Sequence, residues 1–151
     1  MRLAKPPFCC FLPTHSDPGF RNVAVEINRD GANVLLRLAN GPVNALSIGA
    51  GLVPALAGEM AAANADPACP AIVVAGAGKM FCGGADITDF DSDPASVGQL
   101  RDLVNLNVSS PKPVIMAIHA VARGGGFELA LAGHYRFAHA QTRGSACPRS
   151  R

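Results

Sequence analysis

The sequence predicts an α/β fold in which strands hand over to helices through glycine-rich turns, and three observations carry that expectation. Runs of strand length stand at residues 23–27, which alternate, and at 34–38, 71–75 and 114–118, which are largely apolar. Leu52, Leu56 and Met60 recur at helical spacing, as do Val97, Leu100, Val104 and Val108. Two glycine clusters, 76–84 and 124–126, each stand between a strand-like run and a helical one.

Residues 1–21 hold Pro6, Pro7, Pro13 and Pro18 without helical or strand period and read as an irregular leader. Residues 23–27 and 34–38 flank a turn containing Asp30-Gly31, the pattern of a β-hairpin. After a loop at 39–46, Ser47 is placed to cap a helix whose buried stripe is Leu52, Leu56 and Met60; Pro54 disturbs its first turns. Asp66-Pro67 and Pro70 stop that helix, and the β-branched run 71–75 reads as a buried strand. The first glycine loop follows, then a short helical turn at 86–90 and a helix over 97–108 that Pro111 and Pro113 terminate. A strand at 114–118, the second glycine turn and a helix from Phe127 to Leu131 complete the pattern. Strand, glycine loop and helix thus occur twice, a weak architectural repeat.

Length and composition fit one globular domain, since 151 residues with 49% hydrophobic side chains can bury a sizeable core. A formal charge of +2, no basic block, one Tyr and no Trp argue against a nucleic-acid partner. Charged residues are 16% of the chain against about 25% in typical soluble domains, so part of the surface is expected to be apolar and meant for contact. The five cysteines show no disulfide framework or zinc spacing and suggest reduced thiols. Prolines interrupt the start where a signal peptide would be apolar, and only two basic residues precede Asp17, thin support for a transit peptide. No run approaches the roughly 18 apolar residues of a membrane span, so the expected location is cytoplasmic, with no membrane partner.

The glycine loops carry the chemistry. The first reads Gly76-Ala77-Gly78-Lys79-Met80-Phe81-Cys82-Gly83-Gly84-Ala85-Asp86-Ile87, and its glycines let backbone N–H groups approach a ligand. The second, Gly124-Gly125-Gly126-Phe127-Glu128, adds the positive end of a helix. Two converging backbone donors are what a thioester carbonyl needs when its oxygen gains enolate character. Either cluster alone reads first as a tight turn, and only the pair points to a site. A phosphate loop around Gly78-Lys79 fails, because Met80 stands where Ser or Thr is required, and neither cluster gives a dinucleotide fingerprint. Glu128, among Phe127, Leu129, Ala130 and Leu131, is either buried for proton transfer or turned to solvent beside the helix N-terminus. Asp86 reads as a cap for the turn after Ala85, with a direct substrate role as the alternative. Cys82 has no histidine near it in sequence, and the four histidines have no ligand partners at metal spacing.

Taken in order, Pro42-Val43-Asn44-Ala45-Leu46-Ser47, Gly76-Ala77-Gly78-Lys79-Met80-Phe81, Gly84-Ala85-Asp86-Ile87 and Gly124-Gly125-Gly126-Phe127-Glu128-Leu129-Ala130-Leu131 resemble the successive signatures of the enoyl-CoA hydratase/isomerase (crotonase) superfamily. His134-Tyr135-Arg136-Phe137-Ala138 looks most like the N-terminal hydratase portion of multifunctional fatty-acid β-oxidation enzymes. The resemblance implies a crotonase-like spiral of ββα units over 22–140, an incomplete N-terminal part of that fold, followed by a tail at 141–151 unlike the family. It implies an oxyanion hole from the N–H groups of Ala85 and Gly125, with Gly84 and Asp86 among the binding residues. Glu128 falls on one of two catalytic glutamates: one activates water and the other exchanges the proton at the α-carbon of a 2-enoyl-CoA. Coenzyme A enters as part of the acyl thioester substrate, with no metal and no further cofactor.

The sequence departs from this pattern at Ala120, where glycine is usual; at Arg123, which puts a charge beside the proposed oxyanion hole; and at Gly83, which replaces Ala or Ser. The Gly-x-Pro-Glu segment expected after Ala140 is not found, so the second glutamate is missing. Glu26 and Glu59 fall where the resemblance places no chemistry. A truncated or frame-shifted chain, or a fragment, is expected, with an apolar face left for self-association or for the missing C-terminal half. The alternatives to a hydratase are an acyl-CoA-binding remnant without catalysis and another reaction of the superfamily, such as enoyl-CoA isomerisation.

Overall fold

The computed structural model describes residues 24–92 and 96–139; the leader at 1–21 and the tail at 141–151 lie outside them. A hairpin opens the fold, β1 (Val25–Asp30) and β2 (Asn33–Leu38), antiparallel and in register from Val25 opposite Leu38 to Asp30 opposite Asn33. Two residues close it, with Gly31 at φ 60° supplying the left-handed turn that a side chain resists. β3 (Ile72–Gly76), β4 (Val114–Ile118) and β5 (Tyr135–Ala138) then join in parallel, giving one sheet in the order β1-β2-β3-β4-β5. The parallel connections run through α1 (Leu52–Ala65), α2 (Ile87–Ser92), α3 (Ser96–Val108) and α4 (Gly125–Ala132).

The strand runs supply one buried face. Val34, Leu36 and Leu38 of β2, Ile72 and Val74 of β3, and Val114 and Met116 of β4 are buried, while the residues between them are only half-buried. Leu52, Leu56 and Met60 of α1 lie in the same core, fully enclosed. Each such side chain contributes about 1.5–3 kcal/mol relative to staying exposed.

Two helix expectations need correction. The first helix does not start at Ser47; it starts at Leu52, behind Gly51 at φ 84°, and Ser47 Oγ instead accepts the Ala50 N–H (3.0 Å) in the preceding turn. Pro54 then sits at the third helical position, where no backbone N–H is needed, and the first helical bond runs from Ala55 N–H to Gly51 C=O (3.0 Å). On α3 the expected stripe through Val104 and Val108 is rotated. The helix buries Leu103 and Asn107, leaves Val104 half-buried and exposes Val108, while Leu100 and Val104 face a cavity described below.

β5 was not expected from the sequence. It is an edge strand, exposed at all four residues, with Tyr135 and Phe137 59% and 66% open to solvent and Leu131 of α4 53% open. Ile87 and Val108 are likewise exposed, so large apolar side chains stand open to solvent at several places among the described residues. Among the described residues no helix is long and apolar enough to cross a membrane.

Candidate active site

The two glycine loops leave the same ends of β3 and β4, which pair in register from Ile72 opposite Val114 to Ala75 opposite Ala117. Pairing resumes beyond the strands. Phe81 N–H donates to His119 C=O, Cys82 N–H to Val121 C=O and Arg123 N–H to Cys82 C=O, each at 3.1 Å, so that Cys82 and Ala122 face each other in a parallel bridge. Three residues beyond that bridge on either loop stand Ala85 and Gly125.

On its other side the first loop pairs with residues 43–46. Leu46 N–H donates to Gly84 C=O (2.8 Å) and Asp86 N–H donates to Leu46 C=O (3.1 Å), the two bonds of a parallel bridge between Leu46 and Ala85. Those bonds use the groups of Gly84 and Asp86, so the N–H of Ala85 faces the opposite way, toward the second loop. There the backbones nearly touch. A methyl group on Gly125 would lie 3.4 Å from Ala85 N, and one on Gly84 would lie 3.9 Å from Gly125 N.

Gly125 is the first residue of α4, two residues earlier than the expected helix start, behind Gly124 at φ 48°. In this first turn Gly126 N–H donates to Arg123 C=O, and Phe127 and Glu128 N–H donate to Gly124 C=O. Among the described residues the N–H groups of Ala85 and Gly125 have no acceptor. Two neighbouring, unengaged donors, one of them at a helix N-terminus, can hold one anionic oxygen.

Both donors border a cavity of about 590 Å³, lined by Gly83, Gly84, Ala85, Ile87, Leu100, Arg101, Val104, Gly124, Gly125 and Glu128. The structure thus brings Gly84, Ala85, Gly125 and Glu128 to one place. Of the two alternatives for Glu128, it takes the exposed one, at the edge of this cavity. Asp86 is not brought in. Its Oδ1 accepts the Thr88 N–H (3.0 Å) and hydroxyl (2.8 Å), which spends its carboxylate on the turn that opens α2. Ile87, Leu100, Arg101 and Val104 went unrecognised in the sequence; Leu100 and Val104 have the spacing of a core stripe, which hides a cavity wall.

The thiol of Cys82 is buried and donates to Asn44 C=O (3.1 Å), and burial pushes it up to about 11, far from the reactive thiolate range. His134 acts locally, its Nδ1 accepting the Val114 N–H (3.1 Å). Arg123 engages the site through its backbone while its side chain is exposed, where water screens the charge. Gly83 is no neutral replacement: a methyl group there would stand 3.0 Å from Val43 Cβ.

Ala120 departs in a measurable way. It holds φ 53°, the left-handed region, in the loop that carries Gly125. That conformation costs an alanine about 1–2 kcal/mol, and glycine's looser unfolded state returns about 0.4–1 kcal/mol of the relief. Ala120→Gly is therefore expected to stabilise the chain by about 0.5–1 kcal/mol, read as a higher urea midpoint at unchanged slope. A lower midpoint would show that the loop bears no strain there.

The sequence matches the family model described as enoyl-CoA hydratase/isomerase over residues 30–146. It is 45% identical over 109 residues to the peroxisomal bifunctional enzyme of Danio rerio, covering 72% of this chain and 15% of that enzyme. Over 88 residues, 48% of this chain and 27% of the relative, it is 38% identical to the mitochondrial Delta(3,5)-Delta(2,4)-dienoyl-CoA isomerase of Pongo abelii. Among solved structures, an enoyl-CoA hydratase from Polaromonas sp. JS666 superposes with a TM-score of 0.73 at 27% identity, covering 80% of this chain and 49% of that one. The chain thus spans about half of that structure's length and a much smaller share of the bifunctional enzyme.

Proposed function

The chain belongs to the enoyl-CoA hydratase/isomerase family and has the first part of its crotonase-like fold, and from that premise we propose that it carries the thioester-activating half of a 2-enoyl-CoA hydratase of fatty-acid β-oxidation. The observation that carries this reading is the pair of unengaged N–H groups on Ala85 and Gly125, side by side at the cavity that Glu128 borders. Bound there, the thioester oxygen accepts both bonds, which draws electron density from the double bond and makes the β-carbon open to water. Negative charge grows on that oxygen as water adds, so the donors bind the transition state more tightly than the substrate. Ile87, Leu100 and Val104 give the acyl chain an apolar wall. Glu128 is one of the two carboxylates the addition needs; one takes a proton from water and the other exchanges the proton at the α-carbon.

Glu128→Gln, made in a chain extended to the family's full length, is expected to lower hydration about a hundredfold, the modest end for a positioned acid–base group because the carboxylate is exposed. Thermal unfolding should hardly move. Full turnover in the variant would reduce Glu128 to a helix-terminus carboxylate.

A second reading rests on the cavity lining, in which Glu128 is the one carboxylate among the described residues. With a single proton-transfer group the chain by itself would bind an acyl-CoA without hydrating it, or would move a proton within it as an isomerase does. Incubating the chain with an acyl-CoA in heavy water separates the two. Deuterium entering next to the carbonyl marks proton transfer, and binding without exchange marks the remnant.

A further inference from the structure

Residues 43–49 run beside the later part of the first glycine loop and the start of α2. Val43 C=O accepts the Gly83 N–H (2.7 Å), Leu46 bonds to Gly84 and Asp86, and the N–H groups of Ile48 and Gly49 donate to the Asp89 carboxylate at 2.6 and 3.2 Å. Asn44 joins this strap to the loop through its side chain. It is 1% exposed, and its Nδ2 donates to the carbonyls of Ala77 (2.8 Å), Met80 (2.9 Å) and Phe81 (3.3 Å). Two amide hydrogens thus hold three acceptors, which gathers the turn 77–81 around one point.

The backbone of Asn44 matters as well. It stands at φ 52°, a conformation asparagine tolerates better than most residues, and its own C=O accepts the Cys82 thiol (3.1 Å). This bend sends the chain back so that Leu46, two residues on, lies against Gly84 and Asp86. The Leu46 bridge in turn decides which way the Ala85 N–H faces.

We propose that Asn44 is a positioning residue for the oxyanion donor of Ala85, its amide fixing the near end of the loop and its left-handed backbone setting the register of Leu46 against residues 84–86. The role rests on the oxyanion reading of Ala85 given above. Asn44 touches no substrate; it acts through the backbone it holds.

The test compares the 151-residue chain with Asn44→Gly, which keeps the left-handed bend and removes the amide, and Asn44→Asp, which sets an acceptor against three carbonyls. Hydrogen exchange is measured without ligand. Loss of the clamp is expected to speed exchange at the Leu46, Gly83 and Asp86 amides by about tenfold relative to the Ile72 amide in the sheet. Carbonyl-labelled crotonoyl-CoA then reports polarisation: its bound carbonyl stretch is expected to lose about half or more of its downshift while the affinity changes less than about threefold. A residue that merely supported the fold would move all amides together and leave the stretch of bound ligand alone. Unchanged exchange and an unchanged stretch in a folded variant would overturn the proposal, and so would the failure of both variants to fold, which would make Asn44 a folding residue. A missing downshift in the unsubstituted chain would instead sink the oxyanion reading, and the exchange comparison would still decide whether Asn44 sets the register around Ala85.

Discussion

Extended through the remaining length of its family, the chain is expected to hydrate a 2-enoyl-CoA two to four orders of magnitude faster than the 151 residues alone, about the range that one positioned acid–base partner supplies. The addition moves two protons, one from water and one at the α-carbon. Among the described residues Glu128 is the one carboxylate at the cavity, while Glu26 lies on β1, Glu59 on α1, and Asp86 is spent on Thr88. The added segment should also cover Leu131, Tyr135 and Phe137, which stand more than half exposed, and a site whose supporting shell is missing loses further rate. Loss of the conjugated enoyl-thioester absorbance measures both proteins side by side. Equal turnover would mean that another carboxylate, or a second chain, already completes the site.

Gly125→Pro in the extended chain is expected to lower kcat by about a hundredfold to a thousandfold, the loss of about 2.7–4 kcal/mol that follows removal of one oxyanion donor. The substitution suits the position: Gly125 is the first residue of α4, where proline is well tolerated because the helix itself does not use that N–H. Its Cβ would meet Leu100 Cδ2 at 3.3 Å, a contact that a side-chain rotation relieves, while its Cδ takes the place of the donated hydrogen. On the oxyanion reading proposed above, this donor serves the transition state more than the ground state, so kcat should fall more than KM rises. A fall in affinity at constant kcat would assign Gly125 to binding alone. A contrasting control is Gly126→Ala, whose methyl group would lie 2.6 Å from the Cys82 sulfur and should disrupt folding rather than chemistry.

Much of the fold was legible in short-range patterns. The β-branched run before Gly76 and the run 114–118 read as strands because a short, continuous apolar run suits a strand within a covered parallel sheet, and β4 has the bounds the sequence implied. The glycine loops were legible because close backbone approach tolerates no side chain: at Gly76 a methyl group would fall 2.3 Å from Met80 O. Ala120 was recognisable as a departure, and its φ of 53° is the physical content of that departure. β5 was not legible, since four exposed residues carry no inside–outside alternation and its pairing with β4 is a long-range bond pattern. Nor was the start of α1, where Gly51 in a left-handed conformation replaced the expected side-chain cap.

By itself the sequence determined which backbone groups could become donors, because only glycine-rich turns and a helix start leave N–H groups without partners. Whether those groups meet was decided by the tertiary structure. Register between β3 and β4, carried outward to Cys82 and Ala122, sets Ala85 beside Gly125 across 40 residues of chain, and the Leu46 bridge turns the first donor inward. The same distinction separates the cavity wall from the core. Leu100 and Val104 have the spacing of a buried stripe, and only the placement of α3 beside α4 shows that they face open space with Arg101 and Glu128. Periodicity records which face of an element avoids water, whereas a site depends on which elements share that face, and that follows from pairing between residues far apart in the chain.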